Sequence, residues 1–245
     1  MEWIRQFYCS LEPIMLYCME DLLGGPKPFK VRSAVNLQKG GTFVYVLLLM
    51  IFFHNDSLQL LLYWALHGSY GLIWLLKSYV MPDLAFEKDC TIGSSIAAFV
   101  LILIPYWVAP YLIAAGYTTA PSYPVMAFCV LLHTLGVAVM MVSDAQKYYT
   151  LQHKKQLITD GMYRYIRSPN YLGEVMIYSS YALLANHWLP WLILLYVWSS
   201  VFATRIITKE KRMERYPEWK SYKARTNCIV PIKFFMHFFQ KAKDE

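Results

Sequence analysis

The chain is expected to be an all-α, integral membrane helical bundle, with about six transmembrane spans and an N-terminal interfacial helix. Three observations predict this. Of its 245 residues, 57% are apolar and only 16% charged, against about a quarter charged in soluble domains. The apolar residues gather into runs long enough to cross a hydrocarbon core. The 23 Lys and Arg are distributed one-sidedly between those runs.

Taken in order, residues 3–23 place Ile4, Phe7, Tyr8, Leu11, Met15, Cys18 and Leu22 at helical spacing. This predicts an amphipathic helix lying in the membrane interface and broken near Pro13. Glu2, Glu12, Glu20 and Asp21 argue against a cleaved presequence, and "MEWIR" lacks the order of a signal peptide. "LGGPKPF" (23–29) is a turn. "TFVYVLLLMIFF" (42–53) is the first span, short unless its helix starts near Val35 with Lys39 snorkelling to the surface. Five further spans follow at 58–80, 94–116, 123–144, 170–187 and 189–208. With no internal repeat, the whole of 1–245 reads as one membrane domain, of which 1–30 is the interfacial N-terminal segment.

With six spans, every Lys and Arg falls on one side or in a helix turn entering it. The loops "HNDS", "YTTAPSY" and "NHWLP" on the other side carry none. This predicts that both termini are cytoplasmic and makes the net charge of +7 a property of one face. Such a face serves orientation and contact with anionic headgroups, or it forms a site for a phosphate-bearing ligand. Nucleic acid is excluded as a partner, because the cations surround buried helix ends and form no open groove. Cys9, Cys18, Cys90, Cys129 and Cys228 show no metal-ligand spacing and are expected to be free thiols.

Ionisable groups inside spans cost roughly 2.5–3.5 kcal/mol each, so they face the interior and mark sites. Three spans carry polar stripes at helical spacing: Tyr63, His67, Tyr70, Trp74 and Lys77; His133, Met140, Asp144 and Lys147; and Asn170, Glu174, Tyr178 and Tyr181. Any one of these residues is more often a packed or interfacial side chain than a functional one. Their convergence at one end, beside Arg164, Arg167 and Arg205, predicts a cavity that is cationic at its mouth and aromatic deeper down.

"GMYRYIRSPNYLGE" (161–174), followed by "RIITKEKRMERYPEWKSYKARTNCIVPIKFF" (205–235) and preceded by "VSDAQKYYTLQ" (142–152), resembles the C-terminal half of the steroid 5-alpha-reductase family. The resemblance covers about residues 140–235 and is closest to the broad branch of small membrane proteins in that family. It implies NADPH binding by this half and reduction of an activated C=C bond in a steroid or other lipid substrate. Carried onto matching positions, the cofactor set is Asp144, Asn170, Tyr171, Glu174 and Arg205, extended by Lys147, Arg164, Arg167, Tyr222 and Arg225. The residue types fit independently. Arginines hold phosphates in forked hydrogen bonds, Asn170 offers a donor and an acceptor to a carboxamide, and Glu174 accepts from ribose or carboxamide groups or neutralises Arg205. The family's early Gln–Glu pair has no counterpart here, so the proton donor is not carried over; Tyr70 and then His67 are the candidates by depth and type.

Two other readings stand beside this one. The Arg-x-Pro-x-Tyr core also occurs in membrane methyltransferases that use S-adenosylmethionine. A reductase-like shell without catalysis could instead serve as a structural or assembly subunit in a membrane complex. The terminal "KAKDE" resembles a dilysine retrieval signal, through Lys241 and Lys243, and points to the endoplasmic reticulum membrane in a eukaryote, with a mitochondrial membrane as the rival.

Overall fold

In a computed structural model, residues 2–233 are described. Among these residues the fold is all-α apart from one two-residue antiparallel pair, β1 (Phe29–Lys30) with β2 (Asp89–Cys90), and one isolated bridge. Its helices are α1 (Glu2–Glu20), α2 (Val31–Phe53), α3 (Leu58–Val80), α4 (Ile92–Ala114), α5 (Tyr123–His153), α6 (Pro169–Ala185), α7 (Trp188–Met213) and α8 (Trp219–Arg225). By length and composition α2, α4, α5 and α7 are each able to cross a membrane. With α3 and α6 packed among them they form a helical membrane bundle.

Helices α2 and α3 form an antiparallel hairpin around residues 54–57. His54 takes the left-handed conformation (φ 48°) that ends α2, and Ser57 accepts from the Leu60 N–H to begin α3. Asn55 ties this turn to α4 by donating to the Ile113 and Ala114 carbonyls, each at 3.1 Å. Contact between the two helices is close because Gly71 has no side chain. A Cβ there would lie 2.0 Å from the Lys39 carbonyl oxygen.

Helices α5 and α6 pack antiparallel on the same physical basis. Gly173 faces Gly136 and Met140, and a Cβ at Gly173 would come within 2.6 Å of the Gly136 carbonyl oxygen and the Met140 nitrogen. The register puts Asp144, one turn beyond Met140, against the start of α6, where Asn170 sits.

Two rods are irregular. Helix α4 passes through a wide π turn at Ala98–Leu103 and a tight 3-10 turn at Ile104–Trp107, around Pro105, which lacks the N–H a regular helix needs. Helix α7 has a π turn at Trp198–Phe202.

The structure corrects several boundaries. The first span begins at Val31 instead of near Val35, and α5 runs nine residues past 144 to His153. Pro13 does not break α1, which is continuous from Glu2 to Glu20. Helix α1 buries none of its residues and is held from outside the bundle. Arg5 pairs with Glu214 at 2.6 Å, Glu12 pairs with Arg212, and Glu20 pairs with Lys88 at 2.5 Å. Trp3, Phe7, Ile14 and Tyr17 remain exposed, an arrangement that suits an interfacial helix.

After α7 the chain folds back. Ile166 bridges Asn227, and the Arg167 and Ser168 N–H groups donate to the Asn227 and Cys228 carbonyls at 2.9 and 3.0 Å. Among the described residues all five cysteines are free thiols. The "KAKDE" tail lies outside the described residues.

Candidate functional site

The polar stripes converge. On α3, Tyr63, His67, Tyr70, Trp74 and Lys77 are all buried. From α5, His133, Met140 and Asp144 turn inward, and from α6 Tyr178 and Tyr181 do the same.

The centre of the site is a residue expected at the surface. Lys39 is only 5% exposed and does not snorkel. Because α2 starts at Val31, Lys39 sits more than two turns inside the helix, too deep for its four-carbon stem to reach solvent, and it finds partners within the bundle. Its Nζ donates to the Tyr70 and Tyr178 hydroxyls at 2.6 and 2.9 Å and lies 3.6 Å from the Glu174 carboxylate. Tyr70 in turn donates to Glu174 Oε1 at 2.8 Å. Lys39, Tyr70 and Glu174 therefore close a triangle of two charge-assisted hydrogen bonds and one ion contact, and Tyr178 joins it through Lys39. Glu174 is neutralised by Lys39 and not by Arg205.

A second ion pair lies beside the first. Lys77 is bonded to Asp144, and both side chains are buried. Trp74 separates the two lysines: Lys39 Nζ lies 3.9 Å and Lys77 Nζ 4.4 Å from its ring, within cation–π range. Asn36 fixes the indole by accepting its N–H at 3.1 Å. Two cations and two carboxylates leave this interior cluster formally neutral, as a low-dielectric site requires. One acceptor is left over: Asp144 Oδ1 is buried with no partner among the described residues.

Deeper in the bundle the chemistry is aromatic. His67 stacks on Tyr181 with ring centroids 4.2 Å apart, and its Nδ1 meets the Tyr63 hydroxyl at 2.9 Å. His133 Nε2 lies 3.1 Å from the Tyr181 hydroxyl. The other nitrogen of His67, Nε2, is buried without a partner among the described residues.

The remaining candidates separate into engaged and available groups. Arg167 binds Glu210 at 2.6 Å and the Thr226 carbonyl at 2.7 Å, while Lys209 caps the Arg167 carbonyl at 3.0 Å and Ser168 Oγ at 2.6 Å. Tyr222 donates to the Tyr163 carbonyl at 2.7 Å, and burial pushes its phenol up to about 12, which keeps it a neutral donor. These contacts staple the 160–168 loop to α8. Lys147 pairs with Asp83 at 3.1 Å. Burial raises the Asp83 carboxyl, but the Lys147 ammonium and the Ala85 N–H outweigh it and hold the group below its ordinary value.

Arg205 lies over the Phe86 ring at 4.9 Å, with Met19 Sδ at 3.3 Å, and has no carboxylate partner among the described residues. Arg164 and Arg225 are exposed, near the Tyr165 and Tyr222 rings. Tyr171 packs against Phe202 at 4.9 Å. The half-buried Asn170 makes no side-chain hydrogen bond among the described residues. The structure thus brings Tyr70, Glu174 and Asp144 into one cluster and places Asn170 at its edge, while Arg167, Tyr222 and Lys147 hold other parts of the fold. Lys39 is the residue missed. The signal was an ammonium inside an otherwise apolar helix, which is costly unless partnered.

The fold and this interior define a helical membrane protein with a neutral, hydrogen-bonded cluster of ionisable side chains at its centre. Residues 93–226, more than half of the chain, match the family described as "Protein of unknown function (DUF1295)". The chain belongs to this steroid 5-alpha-reductase-like family. It is also similar to "Uncharacterized protein C7D4.09c" of Schizosaccharomyces pombe, with 36% identity over 69 residues. That match covers 25% of this chain and 25% of the relative, so the chain spans about a quarter of the length of the curated relative it matches.

Proposed function

We propose that the protein is an NADPH-dependent reductase of an activated C=C bond in a steroid or other lipid. The reading rests on family membership and on one observation above the others: a tyrosine hydroxyl held in the bundle interior between an ammonium and a carboxylate. The residues fit the cofactor. Asp144 Oδ1 and the Asn170 amide retain hydrogen-bonding capacity that a carboxamide can take up, and Arg205, Arg164 and Arg225 have no carboxylate partner among the described residues to compete with phosphates. NADPH, when bound, supplies the hydride.

The chain's own residues supply the rest. Asn170 and Asp144 orient the carboxamide. Lys39 and Glu174 hold the Tyr70 hydroxyl at 2.6 and 2.8 Å. When Tyr70 turns from Glu174 toward a substrate oxygen, it donates its proton as negative charge develops there, and the adjacent ammonium stabilises the phenolate. The cofactor is proposed to enter from the basic face of the bundle and the lipid from the bilayer. In the same reading six helices span the membrane, both termini are cytoplasmic, and the membrane is that of the endoplasmic reticulum in a eukaryotic cell.

The test combines binding and turnover on detergent-purified full chain. NADPH should raise the melting temperature where S-adenosylmethionine does not, and NADPH oxidation should depend on one member of a panel of enone lipids. Stabilisation by S-adenosylmethionine alone would transfer the site to methyl transfer. Response to neither would support a structural subunit.

A further inference from the structure

A second charge pattern lies outside the bundle. Residues 2–12, the first half of α1, carry Glu2 and Glu12 against Arg5 and are net acidic. Residues 205–216, the last turns of α7 and the turn beyond it, are net basic: Arg205, Lys209, Lys211, Arg212 and Arg215 stand against Glu210 and Glu214. The fold lays the acidic segment on the basic one, pairing Arg5 with Glu214 at 2.6 Å and Glu12 with Arg212.

The two halves of α1 are held differently. The second half is fixed through the backbone. Thr91 N–H donates to the Glu20 carbonyl at 3.1 Å, the Thr91 hydroxyl to the Leu22 carbonyl at 2.7 Å, and Leu22 N–H to Ser94 Oγ at 2.9 Å. Gly93 lets this end approach closely, since a Cβ there would lie 2.6 Å from the Leu22 carbonyl oxygen. Among the described residues no backbone hydrogen bond to the bundle holds the first half. Between the halves stands Pro13. It has no N–H to offer the Cys9 carbonyl, which makes this the point where α1 bends most easily. The first half is therefore latched by two ion pairs with exposed members, Arg212 being 63% exposed. Each such pair shifts a closed-to-open ratio by about fivefold at most.

The latch sits where α7 leaves the bundle, on the face where Lys and Arg are concentrated, and such faces meet anionic leaflets. An anionic leaflet acts on both partners in one direction. It attracts the basic end of α7, each Lys or Arg near the surface gaining about fivefold, and it repels the acidic segment. The opposing effects are of similar size, so the surface decides the balance. Release uncovers little apolar surface, because Trp3 and Phe7 already point outward.

We propose that residues 2–12 are a strap over the basic end of α7 that anionic phospholipid headgroups release, with Arg212 passing from Glu12 to a lipid phosphate. Neither ion pair uses a residue of the cofactor set, so the strap stands apart from the reductase reading.

Two native thiols report on it. Cys9 and Cys18 are separated by about two and a half helical turns, so Cys9 faces the bundle, half-buried, and Cys18 faces away, exposed. The full chain is placed in nanodiscs of phosphatidylcholine, alone or mixed with phosphatidylserine, without cofactor. After brief treatment with N-ethylmaleimide, the ratio of Cys9 to Cys18 labelling is read by peptide mass spectrometry. Surface potential affects both thiols of the one helix and cancels in the ratio. The ratio should rise about threefold with phosphatidylserine. Glu12→Lys sets two cations against each other and should raise it in phosphatidylcholine alone. Glu12→Lys combined with Arg212→Glu restores the pair with its charges exchanged and should bring the ratio back down. Equal ratios in the two lipids, no rise in Glu12→Lys, or no return in the exchanged pair would overturn the strap. A rise of the same size with inorganic pyrophosphate in phosphatidylcholine discs would overturn the lipid headgroup as its trigger.

Discussion

Replacing Lys39 by methionine keeps the length of the side chain and removes its charge, which isolates the electrostatic role of the buried cluster. At 3.6 Å and an effective dielectric constant of about 20, the attraction between Lys39 and Glu174 is about 4–5 kcal/mol. Removing the cation also strips one hydrogen bond each from Tyr70 and Tyr178 and the contact with Trp74 at 3.9 Å. Against these losses, an ammonium no longer has to be desolvated. Breaking a buried pair from one side costs about 3–5 kcal/mol, because the other charge is stranded. Lys39→Met should therefore destabilise by that amount in denaturant unfolding from mixed micelles. The partner experiment sets the reasoning at risk. Glu174→Gln should also destabilise, but Lys39→Met combined with Glu174→Gln should recover much of the loss, with a coupling of about 1–3 kcal/mol. A single-mutant loss below about 1 kcal/mol, or a double mutant equal to the sum of the singles, would refute the ion pair as an interior, energetically coupled unit.

Further outcomes are expected. Gly173→Ala pushes a Cβ to within 2.6 Å of backbone atoms on α5 and should destabilise by about 1–3 kcal/mol, read as a lowered melting temperature in detergent; an unchanged value would mean that α5 and α6 separate freely. Tyr70→Phe should lower kcat with little change in NADPH affinity, measured by steady-state turnover beside cofactor-induced stabilisation. Asn170→Ala should weaken NADPH binding by about 1–3 kcal/mol through a lost buried hydrogen bond, and an unchanged Kd would remove Asn170 from the cofactor set. The Asp83 carboxyl is held below its ordinary value in the folded protein. Its contribution should be complete above its unfolded value and lost as pH falls through the lower folded value; Asp83→Asn should flatten this part of the acid unfolding profile.

Much of the architecture was legible because it depends on local periodicity. The stripe from Tyr63 to Lys77 is a 3.6-residue pattern, and a helix carrying it has only one face to bury. The opening of α6 at Pro169 and the turn at 54–57 follow from residues that restrict their own backbone. Harder to read were the interruptions inside rods. Pro105 marks one, but the π turn at Trp198–Phe202 has no proline to announce it. Pro13 looked like a break and is not one, and the ion pairs to Glu214, Arg212 and Lys88 that dock α1 along its length are revealed by no local pattern.

The candidate site divides in the same way. Polar residues facing the interior could be listed from spacing alone, since each is costly in lipid wherever it sits. Which of them meet could not. Glu174 chose between Arg205 and Lys39 by the approach of α2 to α3, set by the absence of a side chain at Gly71, and by the registry of α6 against both. Arg167 and Tyr222 carry the same chemistry as Arg205 and Tyr70, yet Glu210 near the end of α7 holds Arg167, and the return of the chain after α7 brings Thr226 to Arg167 and Tyr222 to the Tyr163 carbonyl, which commits them to the fold. Composition and periodicity therefore determined that this protein is a helical membrane bundle with polar groups turned inward. Only the tertiary structure decided which charges neutralise each other, because pairing in a low-dielectric interior depends on distances of a few ångströms between residues far apart in the chain.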